Sequence, residues 1–232
     1  MKRLRMRNET ANNKHLMLFS GRAFPELAEE VAATLETSLV PTRSLAYANS
    51  EIYVRFEESV RGCDAFVIQS HTAPVNEWIM EQLIMVDALK RASAKRITVV
   101  APFYPYARQD KKHLGREPIS ARLVADLYRA AGADRIMSVD LHASQIQGFF
   151  DGPVDHLWGL PVLSAYIRDH YDASQMCVVS PDESGWPTCG RTNLAARLRS
   201  STSAVTMRRP IRSPCMRSSA MCRAKPACSS TT

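Results

Sequence analysis

The chain has 232 residues, 45% of them hydrophobic, and a formal net charge of +7, which is enough apolar material for one large domain or two small ones. No run of about 18 apolar residues occurs, and the basic N-terminus MKRLRMRNETANNKHL has no apolar stretch or cleavage motif behind it, so a membrane span and a secretory leader are excluded and the chain reads as cytoplasmic. The charge is uneven: residues 186–232 hold nine of the 30 Lys+Arg and none of the 23 Asp+Glu, leaving 21 against 23 in residues 1–185, so a nucleic-acid partner is unexpected for the body of the protein.

Residues 1–14 read as a solvated, disordered tail. From residue 15 to residue 185 the pattern is regular and reads as one complete domain. Short runs rich in branched residues, LMLFS, EIYVRF, DAFVIQS, RITVVAP, RIMSVDL and MCVVS, read as strands. Helices are expected over Pro25–Glu36, Val75–Ser93, Pro118–Ala131 and Leu160–Tyr171. In the second, Ile79, Leu83, Val86 and Leu89 form one apolar stripe. Pro118 suits the first turn of the third helix and Gly132 its end. Strands alternating with helices predict an α/β fold, a mostly parallel sheet flanked by helices, with ligands gathering outside the carboxyl ends of the strands.

The segments after the strands carry the candidate chemistry. Tyr47–Glu51 (YANSE) precedes the strand IYVRF; Asn49 and Ser50 are turn residues, so a hairpin connection is its simplest account. After RITVVAPF comes YPYARQDKKHLGREPIS, in which Arg108, Lys111, Lys112 and Arg116 are interleaved with Tyr104, Tyr106 and Gln109. Basic side chains can bind polyphosphate and aromatic or amide groups a base, although the composition fits a plain solvated loop equally well. After RIMSV, Asp140 and His142 lie two apart on the same side of the chain, where a carboxylate and an imidazole can hold a divalent ion; a hydrogen-bonded histidine is the plainer account. SPDESG places Asp182 at the end of a further strand, in reach of a metal or a ribose hydroxyl. Neither G-x-x-x-x-G-K-[ST] nor G-x-G-x-x-G is present.

In their order and spacing, YPYARQDKKHLGREPISARLVADL, VDLHASQIQGFFDGPVDHL and VVSPD closely resemble the N-terminal half of ribose-phosphate pyrophosphokinases, also called phosphoribosyl pyrophosphate synthetases; FSGRAFPELAEEVA and SVRGCDAFVIQS do so as well. The resemblance runs from about Leu16 to Gly185. It implies a phosphoribosyltransferase-like fold and transfer of the diphosphoryl group of ATP to ribose 5-phosphate, giving phosphoribosyl pyrophosphate and AMP for nucleotide biosynthesis. Mg²⁺ is the implied cofactor and inorganic phosphate an implied activator. Carried over by residue, His142 would contact the Mg²⁺ that bridges ATP, and Asp182 would hold a second metal or the ribose hydroxyls. Arg108 and Gln109 would contact ATP. Tyr47, Asn49 and Glu51 would line the adenine pocket of a neighbouring subunit in a homo-oligomer, a hexamer in the family.

Three departures stand out. Tyr47 and Ser50 replace the family's usual Phe and Gly, and Ser50 would strain a turn that prefers positive φ. PDESG replaces Pro-Asp-x-Gly. The family's second domain, with a catalytic Lys/Arg loop and a Thr-Gly-Gly-Thr phosphate cradle, has no match in Trp186–Thr232, so no catalytic residue is assigned and activity of the chain alone is expected to be impaired. An alternative is a non-catalytic, synthetase-associated subunit. The tail contains 14 Ser or Thr but, of Val, Ile, Leu and Phe, only Leu194, Leu198, Val205 and Ile211, which reads as disordered or frame-shifted sequence.

Overall fold

Strands with side chains buried on both faces, as in Leu16–Ser20, Asp64–Ile68 and Arg96–Val100, are what a sheet covered by crossover helices requires, and that is the arrangement found. The computed structural model describes Leu16–Tyr171 together with the backbone of Cys177–Ser180 and Arg197–Ser200. It divides into two units, Met1–Trp158 and Gly159–Thr232. In the first, the order is β1 (Leu16–Ser20), α1 (Pro25–Thr34), β2 (Thr42–Ala46), β3 (Ile52–Phe56), β4 (Asp64–Ile68), α2 (Val75–Arg91), β5 (Arg96–Val100), α3 (Ser120–Ala131), β6 (Arg135–Val139), a 3₁₀ segment (Ser144–Phe149) and β7 (Val154–Leu157). The main sheet runs β1-β4-β5-β6-β7, parallel throughout. The expected parallel α/β sheet is therefore present.

The core follows from period-two alternation. Met17 and Phe19 align with Ala65 and Val67, and these with Ile97 and Val99, placing all six on one face. Met85, Val86 and Leu89 of α2 and Val124, Ala125 and Tyr128 of α3 join the same buried cluster. Ala28 and Ala32 of α1 are buried outside it, and α1 packs on β1. The anticipated α2 stripe is buried at Ile79, Val86 and Leu89, but the buried face also includes Glu81 and Gln82, which periodicity alone reads as solvent positions.

Boundaries shift where the loops claim backbone groups. The third helix begins at Ser120, two residues beyond Pro118, because the chain before it is drawn towards Gln109, whose carbonyl accepts the Ala121 N–H at 3.1 Å. Gly132 ends α3 as anticipated, at φ 120°, with the Ala133 N–H returning to the Tyr128 carbonyl. Two strands, β2 and β7, were not separable by sequence, since TRSLA and VDHL contain no continuous apolar run.

β2 and β3 form a separate antiparallel hairpin. Its turn is Tyr47–Ser50, closed by the Ser50 N–H donating to the Tyr47 carbonyl at 2.8 Å, and Ser50 lies at φ 70°. This is the left-handed position that follows the turn in a three-residue hairpin loop, where glycine is preferred. Ser50→Gly is therefore expected to raise the stability of the first unit by about 0.5–1 kcal/mol, read as the shift in urea midpoint; a lower midpoint would contradict it.

The second unit contains α4 (Leu160–His170) and two strands, β8 (Cys177–Ser180) and β9 (Arg197–Ser200), which pair in parallel. The rest of the segments expected to be disordered, residues 1–14 and 186–232, lie outside the described residues, as does Asp182.

Candidate functional site

A cleft of ≈ 490 Å³ opens at the carboxyl ends of β5 and β6, lined by Arg108, Gln109, Asp140, His142 and the apolar Val75 and Phe103, with Tyr104, Tyr106, Ala107, Val139 and Leu141 completing the wall. This is where a parallel sheet presents loops and helix starts to a ligand. Its two rims are built differently.

The first rim is the loop after β5. Tyr104 is buried and its hydroxyl donates to the Ala121 carbonyl at 3.0 Å, pinning the loop to the start of α3. The Tyr106 hydroxyl donates to Asn76 Oδ1 at 2.6 Å, and Tyr106 itself lies at φ 57°. Asp110 is buried and accepts a bond from the Gln145 amide at 2.9 Å. With the aromatic rings and Asp110 turned inward, Arg108 and Gln109 remain exposed on the cleft. The Gln109 side-chain oxygen accepts the Ser120 hydroxyl at 2.5 Å. Further along, Glu117 accepts the His113 and Leu114 amides at 2.7 and 2.9 Å, and these bonds lower its pKa.

The second rim is the turn after β6. Three successive amides are anchored there: Val139 N–H to the Pro102 carbonyl at 3.0 Å, Asp140 N–H to the Leu157 carbonyl at 2.9 Å, and Leu141 N–H to His156 Nε2 at 3.0 Å. Asp140 has φ 47°, a left-handed conformation unusual for a residue with a Cβ and of the kind that collects at functional sites. Leu141 is buried, whereas Asp140 and His142 are exposed on the cleft. Burial lowers the pKa of His156, opposed by the charge of Asp140.

A second recess, of ≈ 230 Å³, lies at the opposite, amino edge of the sheet and is lined by Asp64, Lys95, Arg96 and Asp134. Its carboxylates are already engaged, Asp64 by the Arg96 guanidinium and Asp134 by the Ile97 amide at 2.9 Å. The carboxyl-end cleft is the better candidate on chemical grounds.

The structure thus brings together Arg108, Gln109, Asp140 and His142. Tyr47, Asn49 and Glu51 lie on the exposed tip of the β2–β3 hairpin and do not line this cleft. Part of that tip is committed locally, with Asn49 Oδ1 accepting the Glu51 amide at 3.2 Å and the Tyr47 ring 6.2 Å from that of Tyr53. His156 and the tyrosine anchors escaped sequence reasoning, because nothing in VDHL or YPY reports which distant amide or carbonyl each side chain meets. Among the described residues, no group of three or more His, Cys, Asp or Glu could hold a metal ion, and no helix is long and apolar enough to cross a membrane.

Comparison with known proteins bears on the fold and the family. Residues 16–132 match the family model of the N-terminal domain of ribose phosphate pyrophosphokinase. A ribose-phosphate pyrophosphokinase from Corynebacterium efficiens is 71% identical over 171 residues, covering 74% of this chain and 53% of that protein. One from Streptomyces avermitilis is 64% identical over 189 residues, covering 82% of this chain and 56% of that protein. The crystal structure of phosphoribosylpyrophosphate synthetase from Mycobacterium smegmatis superimposes with a TM-score of 0.79 at 60% identity, over 84% of this chain and 66% of that one. The chain spans about half the length of the curated relatives it matches. By its family match and by its likeness to these relatives, the chain belongs to the ribose-phosphate pyrophosphokinase family.

Proposed function

We propose that this chain supplies the nucleotide side of a ribose-phosphate pyrophosphokinase site, in which the diphosphoryl group of ATP passes to ribose 5-phosphate. The observation that carries the reading is the meeting of Arg108 and Gln109 from one strand end with Asp140 and His142 from the next across a single cleft. Diphosphoryl transfer asks little covalent work of a protein, so positioned donors and cations around the phosphates account for most of the rate.

Each side chain then has a task. The Arg108 guanidinium offers a planar fork of donors to phosphate oxygens. Gln109, fixed through its oxygen by Ser120, keeps its amide N–H groups for the nucleotide. Asp140 and His142 fit Mg²⁺ carried on phosphate: that ion keeps several waters and takes only one or two protein ligands, so a carboxylate and an imidazole at a rim are a sufficient donor set. Bound there, Mg²⁺ would neutralise charge on the phosphates. Asp182, outside the described residues, keeps the role that the resemblance implies for it, holding a second metal or the ribose hydroxyls. Tyr47, Asn49 and Glu51, exposed on a hairpin away from the cleft, suit a role in the adenine pocket of a neighbouring subunit, which makes a homo-oligomer part of the site. Inorganic phosphate is read as an activator.

Isothermal titration of the 232-residue chain is expected to show Mg-ATP binding that weakens about tenfold on Arg108→Ala, the loss of roughly one charge-assisted hydrogen bond. Addition of ribose 5-phosphate is expected to release little AMP, since the family's Lys/Arg loop and Thr-Gly-Gly-Thr cradle are not in this sequence. Absence of Mg-ATP binding by the folded chain refutes the reading.

A further inference from the structure

We infer that His156 is a positioning residue for His142: by accepting the Leu141 N–H it completes the anchoring of the turn from which His142 projects into the cleft. The inference rests on the reading of His142 as a contact of the Mg-nucleotide.

Three consecutive amides hold this turn, and they are not equivalent. Val139 and Asp140 donate to main-chain carbonyls of Pro102 and Leu157, bonds that any side-chain sequence would allow. Leu141 donates at 3.0 Å to a side chain, the imidazole of His156, on the neighbouring edge strand. The imidazole, carried on β7, thus takes the amide that immediately follows the last main-chain bond to Leu157.

That third bond falls where support is needed. Asp140 is held at φ 47°, a conformation that costs a residue with a Cβ on the order of 1 kcal/mol or more and persists only where its surroundings impose it. Main-chain anchors secure its N-terminal side. On its C-terminal side the turn is secured by burial of Leu141 and by the His156 bond, and His142 is the next residue.

The imidazole is itself oriented. Its ring lies 4.1 Å from that of Trp158 at 34°, and the Gln147 amide is 3.5 Å from Nδ1, too far for a strong bond. Acceptance at Nε2 requires the proton to sit on Nδ1. A ring lacking an acceptor nitrogen would keep the stacking and lose the anchor.

The test uses the full chain with His156→Phe, which retains an aromatic ring, and His156→Gln, which returns an acceptor near the position of Nε2. Amide hydrogen exchange is read at Val139, Asp140 and Leu141, the His142 ring nitrogens are followed by NMR, and Mg-ATP affinity by calorimetry. His156→Phe is expected to accelerate Leu141 exchange at least about tenfold, to shift the His142 ring signals and to weaken Mg-ATP about tenfold, the lower end of what is lost when a group orienting a metal ligand is removed. His156→Gln is expected to recover most of each change. Unchanged His142 signals and affinity in His156→Phe would overturn the inference, as would a glutamine variant as impaired as phenylalanine, since the ring and not the acceptor would then matter. If the parent chain binds no Mg-ATP, the nucleotide reading fails by that result alone, while Leu141 exchange and the His142 signals still decide whether His156 sets this turn.

Discussion

Glu81→Ala is expected to destabilise the first unit by about 3 kcal/mol, visible as a large fall in urea midpoint. Glu81 is fully buried in α2, and four donors converge on its carboxylate. Arg22 Nε reaches Oε1 at 2.7 Å and the Arg22 amide reaches Oε2 at 3.2 Å. Gln69 Nε2 donates at 2.6 Å and the Ser44 hydroxyl at 2.5 Å. These come from the loop after β1, the end of β4 and strand β2, so one carboxylate ties three segments to α2. Removing it leaves the buried Gln69 amide with only a long contact to the Trp78 carbonyl at 3.5 Å, and the Arg22 guanidinium with only Glu77, also at 3.5 Å. The estimate stays at the low end for a broken buried pair because Arg22 is 31% exposed and lies over the Trp78 ring, both of which soften its loss. Glu81→Gln is expected to cost about 2 kcal/mol, since an amide must turn its NH₂ towards one of the two pairs of donors. A midpoint for Glu81→Ala that corresponds to less than 1 kcal/mol would show that the cluster does not hold these segments.

Acid is expected to remove a further share of stability through His71. This residue is 1% exposed; Nδ1 lies 3.1 Å from the Phe103 carbonyl and Nε2 lies 3.2 Å from the Tyr128 hydroxyl, whose single proton is shared between His71 and Gln82 Oε1, 2.8 Å away. Burial pushes its pKa down from 6.5 to about 4, outweighing the Phe103 carbonyl, which favours the charged ring. The folded chain thus binds fewer protons at this site than the unfolded chain between those two values. Stability is full above about pH 6.5 and is lost as pH falls towards 4, by about 3 kcal/mol for a shift of this size. Carboxylates titrate over part of the same range, so the measurement is a difference. Between pH 7 and pH 4, the chain is expected to lose about 3 kcal/mol more than His71→Phe. Parallel pH profiles for the two proteins would refute the assignment.

These two clusters mark the limit of what periodicity reports. LMLFS, DAFVI and RITVV announce buried strands because branched residues run without interruption, and a parallel sheet between helices leaves them little choice of face. Ser50 is a similar case, since a short loop between two strands demands a left-handed residue there, and the structure places Ser50 at φ 70°. Glu81 and Gln82 were unreadable for the opposite reason. On a helix they look like solvent-facing residues, and only the packing of α2 against distant segments buries them.

Arg108, Gln109, Asp140 and His142 were legible as candidates for binding phosphate or a cation, because each follows a strand whose direction the pattern had set. That they share one cleft was not, since it depends on β5 and β6 being neighbours in the sheet order. The sequence alone determined the fold class, the family and the loops in which chemistry is to be sought, since these follow from local pattern and motif spacing. Only the tertiary structure decided that the Leu141 amide meets His156, that Arg22 and Ser44 meet Glu81, and that Tyr128 meets His71. Those partners are 15 to 59 residues apart, and a polar group finds such a partner through the path of the whole chain, which no local period encodes.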